Sequence, residues 1–205
     1  MRLGFAVLIA VASEIAGIGC VQAQRASNAP PVINITSDSA PGWLPSERQR
    51  QDVIKSASDY LSALDEGRYE GAYAMMSEGN KRAVPFQQFV DRSEKLHARS
   101  GPLKQRSILK VTWTKDPAVA PLPGIYAAID VASRYEKVDR HCGYIVLYQK
   151  NDGDNFQVMR QESNFIDNAM AQKIEQEKSR AELDKVWAAL AANCPNYDAG
   201  SAKPQ

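Results

Sequence analysis

The stretch KQRSILKVTWT at 104–114 marks the point where the hydrophobic pattern of the chain changes from helical spacing to alternation. Its alternate positions form two sets, which are Ser107, Leu109, Val111 and Trp113 on one side and Arg106, Ile108, Lys110 and Thr112 on the other. A period of two residues is typical of a β-strand. We therefore expect a strand at 104–114, preceded by a helical half of the domain that ends at Gly101-Pro102.

Three more strands are predicted after it, at 124–135, 141–150 and 155–165. The sequence NDGD at 151–154 is a strong signal for a hairpin turn between the last two of them. A proline-rich loop at 116–124 joins the first two strands. Consecutive strands with short connections predict an antiparallel meander of four strands.

Three helices are predicted before the strands. The first, at 46–65, begins at Ser46, a residue type that favours the N-cap position. A short second helix follows at 69–76, and Pro85 occupies the first turn of a third. Helices followed by a meander predict an α+β domain at 46–166, with three N-terminal helices packed on one face of a four-stranded antiparallel sheet.

A single long C-terminal helix is predicted at 167–194. Its middle segment 176–180 is polar throughout, and its later apolar residues are Leu183, Val186, Trp187 and Leu190. We expect the middle of the helix to be solvent-exposed and its end to pack on another surface. The segments 24–45 and 195–205 lack an apolar period and are predicted to be a flexible linker or arm and a disordered tail.

The first 23 residues have the features of a signal peptide. An apolar segment at 3–12 has the length of a signal-peptide core and is too short to cross a membrane. Val21-Gln22-Ala23 fits a signal-peptidase site. Cleavage between Ala23 and Gln24 is therefore expected, which predicts a periplasmic or secreted protein.

The alternative for the N-terminus is a lipoprotein signal, in which Cys20 follows the small residue Gly19 and carries a lipid. Only this lipid would attach the protein to a membrane, because the mean hydropathy of −0.41 argues against an integral membrane protein. The 25 basic and 24 acidic residues are interspersed along the chain. That pattern excludes a basic arm for nucleic acid.

Two cysteines remain after the N-terminal segment. An exported protein folds in an oxidising compartment, where an even number of cysteines indicates disulfide pairing. We therefore expect a disulfide between Cys142 and Cys194. Closing a loop of about 50 residues stabilises a fold by about 3–4 kcal/mol in the chain-entropy model. The alternative is that the two thiols are buried separately.

Four short motifs stand out between residues 57 and 166, and they are YLSALDEGRY at 60–69, RSGP at 99–102 with Arg106 after it, LPGIY at 122–126 and the hairpin around Asp152-Gly153. With these motifs the segment resembles a bacterial family catalogued as domain of unknown function 4019. The resemblance implies an exported α+β protein whose cone-shaped fold is similar to nuclear transport factor 2 and ketosteroid isomerase. It implies a fold and assigns no activity.

Catalytic motifs such as CxxC, HExxH, GxSxG and the phosphate loop are absent from the sequence. The weak catalytic candidate is Asp130, an acidic residue in the apolar strand segment AAIDVA at 127–132. Burial raises the pKa of a carboxylate, as a general base in a pocket requires. The alternative places Asp130 on the outer face of the sheet, in an ion pair with Arg106 or Arg160.

Five aromatic residues of the predicted strands form a candidate binding face: Trp113, Tyr126, Tyr135, Tyr144 and Tyr148. Aromatic side chains with a polar end are common at interfaces. Strands favour aromatic residues in general, so a structural role is the alternative. Neither histidine, His97 or His141, is expected to be catalytic.

These observations favour an exported periplasmic binding or accessory protein, whose partner in the cell envelope is an unidentified protein or small ligand. No catalysis, cofactor, metal or nucleic-acid partner is expected. A subunit of an envelope assembly, such as a secretion apparatus, is the first alternative. A small pocket enzyme of the isomerase or dehydratase type, using Asp130, is the second.

Overall fold

A computed structural model describes residues 33–37, 42–192 and 194 of the chain. The predicted signal peptide, the cleavage site at Ala23 and Gln24, the lipidation candidate Cys20 and the predicted tail lie outside these residues, as does most of the predicted linker. Within the described ranges, no helix has the length and apolar composition needed to cross a membrane.

Four helices precede the main part of the sheet, and they are α1 Glu47–Asp65, α2 Tyr69–Ala74, α3 Glu78–Ala83 and α4 Phe86–Ser100. Ser46 begins α1 with a capping box, because its hydroxyl accepts a hydrogen bond from Gln49 N and the Gln49 side chain accepts one from Ser46 N. The prediction of three helices is wrong, since it omits α3. That helix has six residues and buries none of them, so no apolar stripe reveals it in the sequence.

The sheet has five strands in the order of the chain, which are β1 Ile33–Thr36, β2 Leu103–Lys115, β3 Ile125–Tyr135, β4 Val138–Gln149 and β5 Gln157–Asp167. Strands β2 to β5 form the predicted antiparallel meander, but β1 pairs with β2 in parallel. The predicted four-stranded antiparallel sheet is therefore wrong at this edge, where the sequence indicates a linker. A strand of four residues is too short to show a period, and long-range contacts fix it, including a 2.8 Å hydrogen bond from Trp113 Nε1 to Asn34 Oδ1.

An extra residue in β2, Leu109, changes which side chains face the helices. The partners of its neighbours Ile108 and Lys110 are consecutive residues of β3, so Leu109 is a β-bulge. Before the bulge Arg106 faces the helices, and after it Trp113 faces the same side. A regular strand would place these two residues on opposite faces, because one is even-numbered and the other odd-numbered.

The face of the sheet toward α1, α2 and α4 carries the main hydrophobic core. Its buried side chains include Val53, Tyr60, Phe89, Val111, Trp113, Ile129, Ile145 and Leu147. Successive residues of a strand point to opposite faces, so this packing leaves the other face of the sheet for a second layer.

Two further helices, α5 Asn168–Glu177 and α6 Arg180–Ala191, form that second layer. The prediction of one long helix is wrong, because helical geometry ends at Lys178 and the Ser179 side chain caps the start of α6. The residues around the break are exposed and polar, so no apolar contact stabilises a continuous helix at this point.

The predicted disulfide is present and joins Cys142 of β4 to Cys194, with the two Cα atoms 6.1 Å apart. A second buried cluster surrounds it and contains Ile166, Ala171, Leu183 and Trp187. The bond and the cluster attach the C-terminal helices to the sheet. Because Cys142 and its neighbour His141 point to opposite faces of β4, this attachment lies across the sheet from the main helical layer.

Candidate functional site

A cavity of about 460 Å³ lies between α1, α4 and the face of the sheet that carries the main core. Its apolar walls are formed by Leu61, Leu64, Met76, Val84, Phe89, Leu96, Leu103, Val131, Ile145 and Val158. Volumes of about 300–1,000 Å³ are typical of sites for small molecules. The cavity is therefore the candidate site of this protein.

The floor of the cavity contains an arginine held from three sides. Arg106 Nη1 donates to Asp65 Oδ2 at 2.5 Å, and Nη2 donates to Asp65 Oδ1 at 3.1 Å. The same guanidinium donates to the Tyr135 hydroxyl at 2.8 Å and to Ser133 Oγ at 3.0 Å. Its position and its charge are thereby fixed before any ligand enters.

Two elements of the fold bring this group together. Asp65 is the last residue of α1, and Arg106 faces the helices because of the bulge at Leu109. Burial acts to lower the pKa of Arg106, but the interactions with Asp65 and Tyr135 together outweigh it, so the pKa is raised. The two side chains therefore form an ion pair with little net charge.

A neutral histidine lies beside this ion pair. His141 is 7% exposed, and its Nε2 is 2.8 Å from Ser163 Oγ. Burial lowers the pKa of His141 to about 4, with the positive charge of Arg106 as the second cause. Nδ1 is also buried, and no hydrogen-bond partner for it occurs among the described residues. The imidazole is consequently uncharged at neutral pH.

A second polar contact crosses the cavity from α1 to β5. The Tyr60 hydroxyl donates to Gln161 Oε1 at 2.8 Å. Tyr60 is 1% exposed, and its burial raises the pKa of the phenol. The phenol therefore remains protonated and acts as a hydrogen-bond donor.

Asp130 does not line the cavity. It lies on the other face of the sheet, where it is 6% exposed and its Oδ2 is 3.9 Å from Lys110 Nζ. The predicted placement of Asp130 on the outer face is therefore correct, but the expected exposed pair with Arg106 or Arg160 is wrong. The bulge turns Arg106 toward Asp65, and Arg160 pairs with Glu162.

The five predicted interface aromatics do not share one face. Trp113 is fully buried in the core, and Tyr135 lines the cavity. Tyr126 and Tyr148 lie on neighbouring strands with ring centres 5.0 Å apart, and Tyr144 stacks with Arg160. The alternation of each strand places these residues on both faces of the sheet. Tyr135 and Tyr144 both line the cavity, and Tyr135 also accepts a hydrogen bond from Arg106.

Asp65 and the role of Arg106 are not among the residues predicted from the sequence. Asp65 follows Leu61 by four residues and thus continues the apolar stripe of α1, which is a detectable signal for a carboxylate facing the interior. No such signal marks Arg106, because regular alternation places it on the face opposite Trp113, away from the cavity. Among the residues that the structure describes, no group of three or more acidic, histidine or cysteine side chains is arranged to hold a metal.

A family model described as "Protein of unknown function (DUF4019)" matches residues 56–161, slightly more than half of the chain. The matched segment contains most of the residues that line the cavity. No curated protein and no solved structure matches the chain.

Proposed function

The chain belongs to the DUF4019 family of proteins of unknown function, and from the geometry of its cavity we propose that it binds a small, largely apolar ligand outside the cytoplasm. The observation that carries this proposal is a cavity of about 460 Å³ whose apolar walls surround a fixed polar floor. Binding sites for small molecules combine these two features. A site formed before the ligand enters avoids the cost of ordering side chains on binding.

We favour binding over catalysis because the polar groups of the cavity are already engaged. The carboxylate of Asp65 accepts two hydrogen bonds from Arg106, so it is a poor general base. His141 faces Ser163 through Nε2. An isomerase or dehydratase mechanism would use Asp130, but this residue lies on the face of the sheet opposite the cavity.

The proposal is tested by filling the cavity of the chain 24–205. Nile red, a neutral apolar dye, should bind in a saturable manner with enhanced fluorescence. Leu96→Trp places a larger side chain in the cavity wall, and we expect it to weaken dye binding at least about tenfold. Val90→Trp is the matched control, because Val90 is a half-buried residue of the same helix outside the cavity.

Two results would contradict the proposal. Dye binding that fails to saturate indicates adsorption to the surface, and equal loss in both variants indicates a general effect on the helix. Thermal unfolding of the two variants, measured in parallel, separates a filled cavity from an unfolded protein.

The location outside the cytoplasm is a second part of the proposal, and the sequence at 1–23 supports it. The mature protein isolated from its host should begin at Gln24, as read from its intact mass. A diacyl adduct on Cys20 would instead establish a lipoprotein. A soluble cytosolic form that retains Met1 would overturn export.

A further inference from the structure

The charged residues that line the cavity do not balance. They are Asp65, Arg92, Arg106, Arg160 and Glu162, which leaves one positive charge in excess. Arg106 pairs with Asp65, and Arg160 pairs with Glu162. Arg92 is the remaining cation, and across the described residues the structure shows it no hydrogen bond or ion pair.

The helix that carries Arg92 does not neutralise it either. The positions three and four residues away on α4, which are its neighbours on the helix surface, are Gln88, Phe89, Lys95 and Leu96. None of them is a carboxylate. The positive charge of Arg92 is therefore not neutralised by the neighbouring turns of its own helix.

Arg92 stands at the opening of the cavity. Its side chain is exposed to solvent although it lines the cavity, whereas Phe89 on the preceding turn is buried and Leu96 on the following turn is half-buried. Both of these apolar residues also line the cavity. The guanidinium thus marks the boundary between an apolar interior and water.

We propose that the cavity binds a monoanionic amphiphile, with its anionic head on Arg92 at the opening and its apolar body between the walls. This inference rests on the proposed function. The guanidinium is suited to a carboxylate or sulfonate, because its parallel N–H groups bind two oxygens of the same head. A ligand with one negative charge would neutralise the excess charge of the site.

The floor of the cavity favours this orientation over the reverse. An anionic head placed at the floor would approach the carboxylate of Asp65, which already holds Arg106. Repulsion between two carboxylates in a partly buried site is unfavourable. The apolar body consequently enters first, and the head remains at the rim.

The test compares two chain-matched probes by isothermal titration calorimetry on the chain 24–205 at pH 7. Decanoate carries the negative charge, and 1-decanol lacks it. We expect decanoate to bind at least about tenfold more tightly, and Arg92→Gln to weaken decanoate about tenfold while leaving 1-decanol unchanged. Arg92→Lys should restore part of the decanoate affinity, since it keeps the charge but loses the paired N–H groups.

Lys95→Gln is the matched control, because it removes one positive charge from the exposed surface of the same helix outside the cavity. Equal binding of the two probes, equal weakening of both by Arg92→Gln, or an effect of Lys95→Gln as large as that of Arg92→Gln would overturn the anionic ligand while leaving the proposed function intact. Failure of both probes and of Nile red to bind would instead overturn the proposed function.

Discussion

Arg106 holds both carboxylate oxygens of Asp65, at 2.5 Å from Nη1 and 3.1 Å from Nη2, across a sequence separation of 41 residues. The two side chains are only 13% and 19% exposed. Asp65 ends α1, where a negative charge is unfavourable because the helix dipole is negative at that end. The guanidinium of Arg106 offsets this, so the pair joins the first helix to the sheet beneath the cavity.

Removing the charge of Asp65 should therefore destabilise the protein. Asp65→Asn leaves Arg106 buried without a counter-charge, and we expect the free energy of unfolding in urea to fall by about 2–4 kcal/mol. Glu162→Gln breaks the exposed pair with Arg160 and should cost less than about 1 kcal/mol. Similar losses in the two variants would mean that the buried pair has no special structural role.

The stability of the protein should depend on pH through His141. The pKa of His141 is about 4 in the folded chain, below the ordinary value of 6.5, so the unfolded chain binds the proton first as the pH falls. The contribution of the neutral imidazole is complete above pH 6.5 and is lost as the pH falls toward 4. A shift of this size corresponds to a loss of up to about 3 kcal/mol.

His141→Phe supplies the comparison, because it keeps a ring and cannot titrate. The difference in unfolding free energy between wild type and His141→Phe should shrink between pH 6.5 and 4 and stay constant above pH 7. A difference that does not change with pH would contradict a buried neutral histidine.

The disulfide should stabilise the fold and protect both thiols. The double variant Cys142→Ser/Cys194→Ser opens a loop with a sequence separation of 52 residues, and we expect it to lose about 4 kcal/mol in the chain-entropy model. Alkylation of the unreduced chain 24–205 under denaturing conditions should label no cysteine except after reduction. Two labelled thiols per chain would show that the bond is absent.

Gly143 should be intolerant of any side chain. A Cβ atom there would lie 2.8 Å from the backbone oxygen of Glu162 on β5 and 3.4 Å from Cε1 of His141. Gly143→Ala would push β4 and β5 apart beside the cavity, so we expect a loss of about 1–3 kcal/mol. Gly71→Ala in α2 is the control, since its nearest neighbour is Arg68 Nη1 at 4.0 Å and alanine favours a helix. A neutral Gly143→Ala would show that the two strands can separate without cost.

Much of the fold follows from local patterns in the sequence. The apolar stripe of α1, its N-cap at Ser46 and the hairpin turn at 151–154 each depend on neighbouring residues, and the structure contains all three. The cysteine pair could also be predicted, from the number of cysteines and the oxidising environment that export implies. These features need no knowledge of distant contacts.

The site could not be predicted in the same way. The bulge at Leu109 leaves no mark in the alternation of β2, yet it decides whether Arg106 meets Asp65. Strand β1 and the break at Lys178 likewise depend on what packs against them. A one-residue change of register exchanges the two faces of a strand, so a prediction based on alternation alone fails at every bulge.

The opposite directions of His141 and Cys142 on β4 have a practical use. The cavity is on one side of the sheet, while α6 and the disulfide are on the other. A fluorophore attached at the exposed Lys185 of α6 would report on the protein without blocking the entrance at Arg92. The cavity walls can then be varied without touching the disulfide, because the bond lies on the opposite face of the sheet.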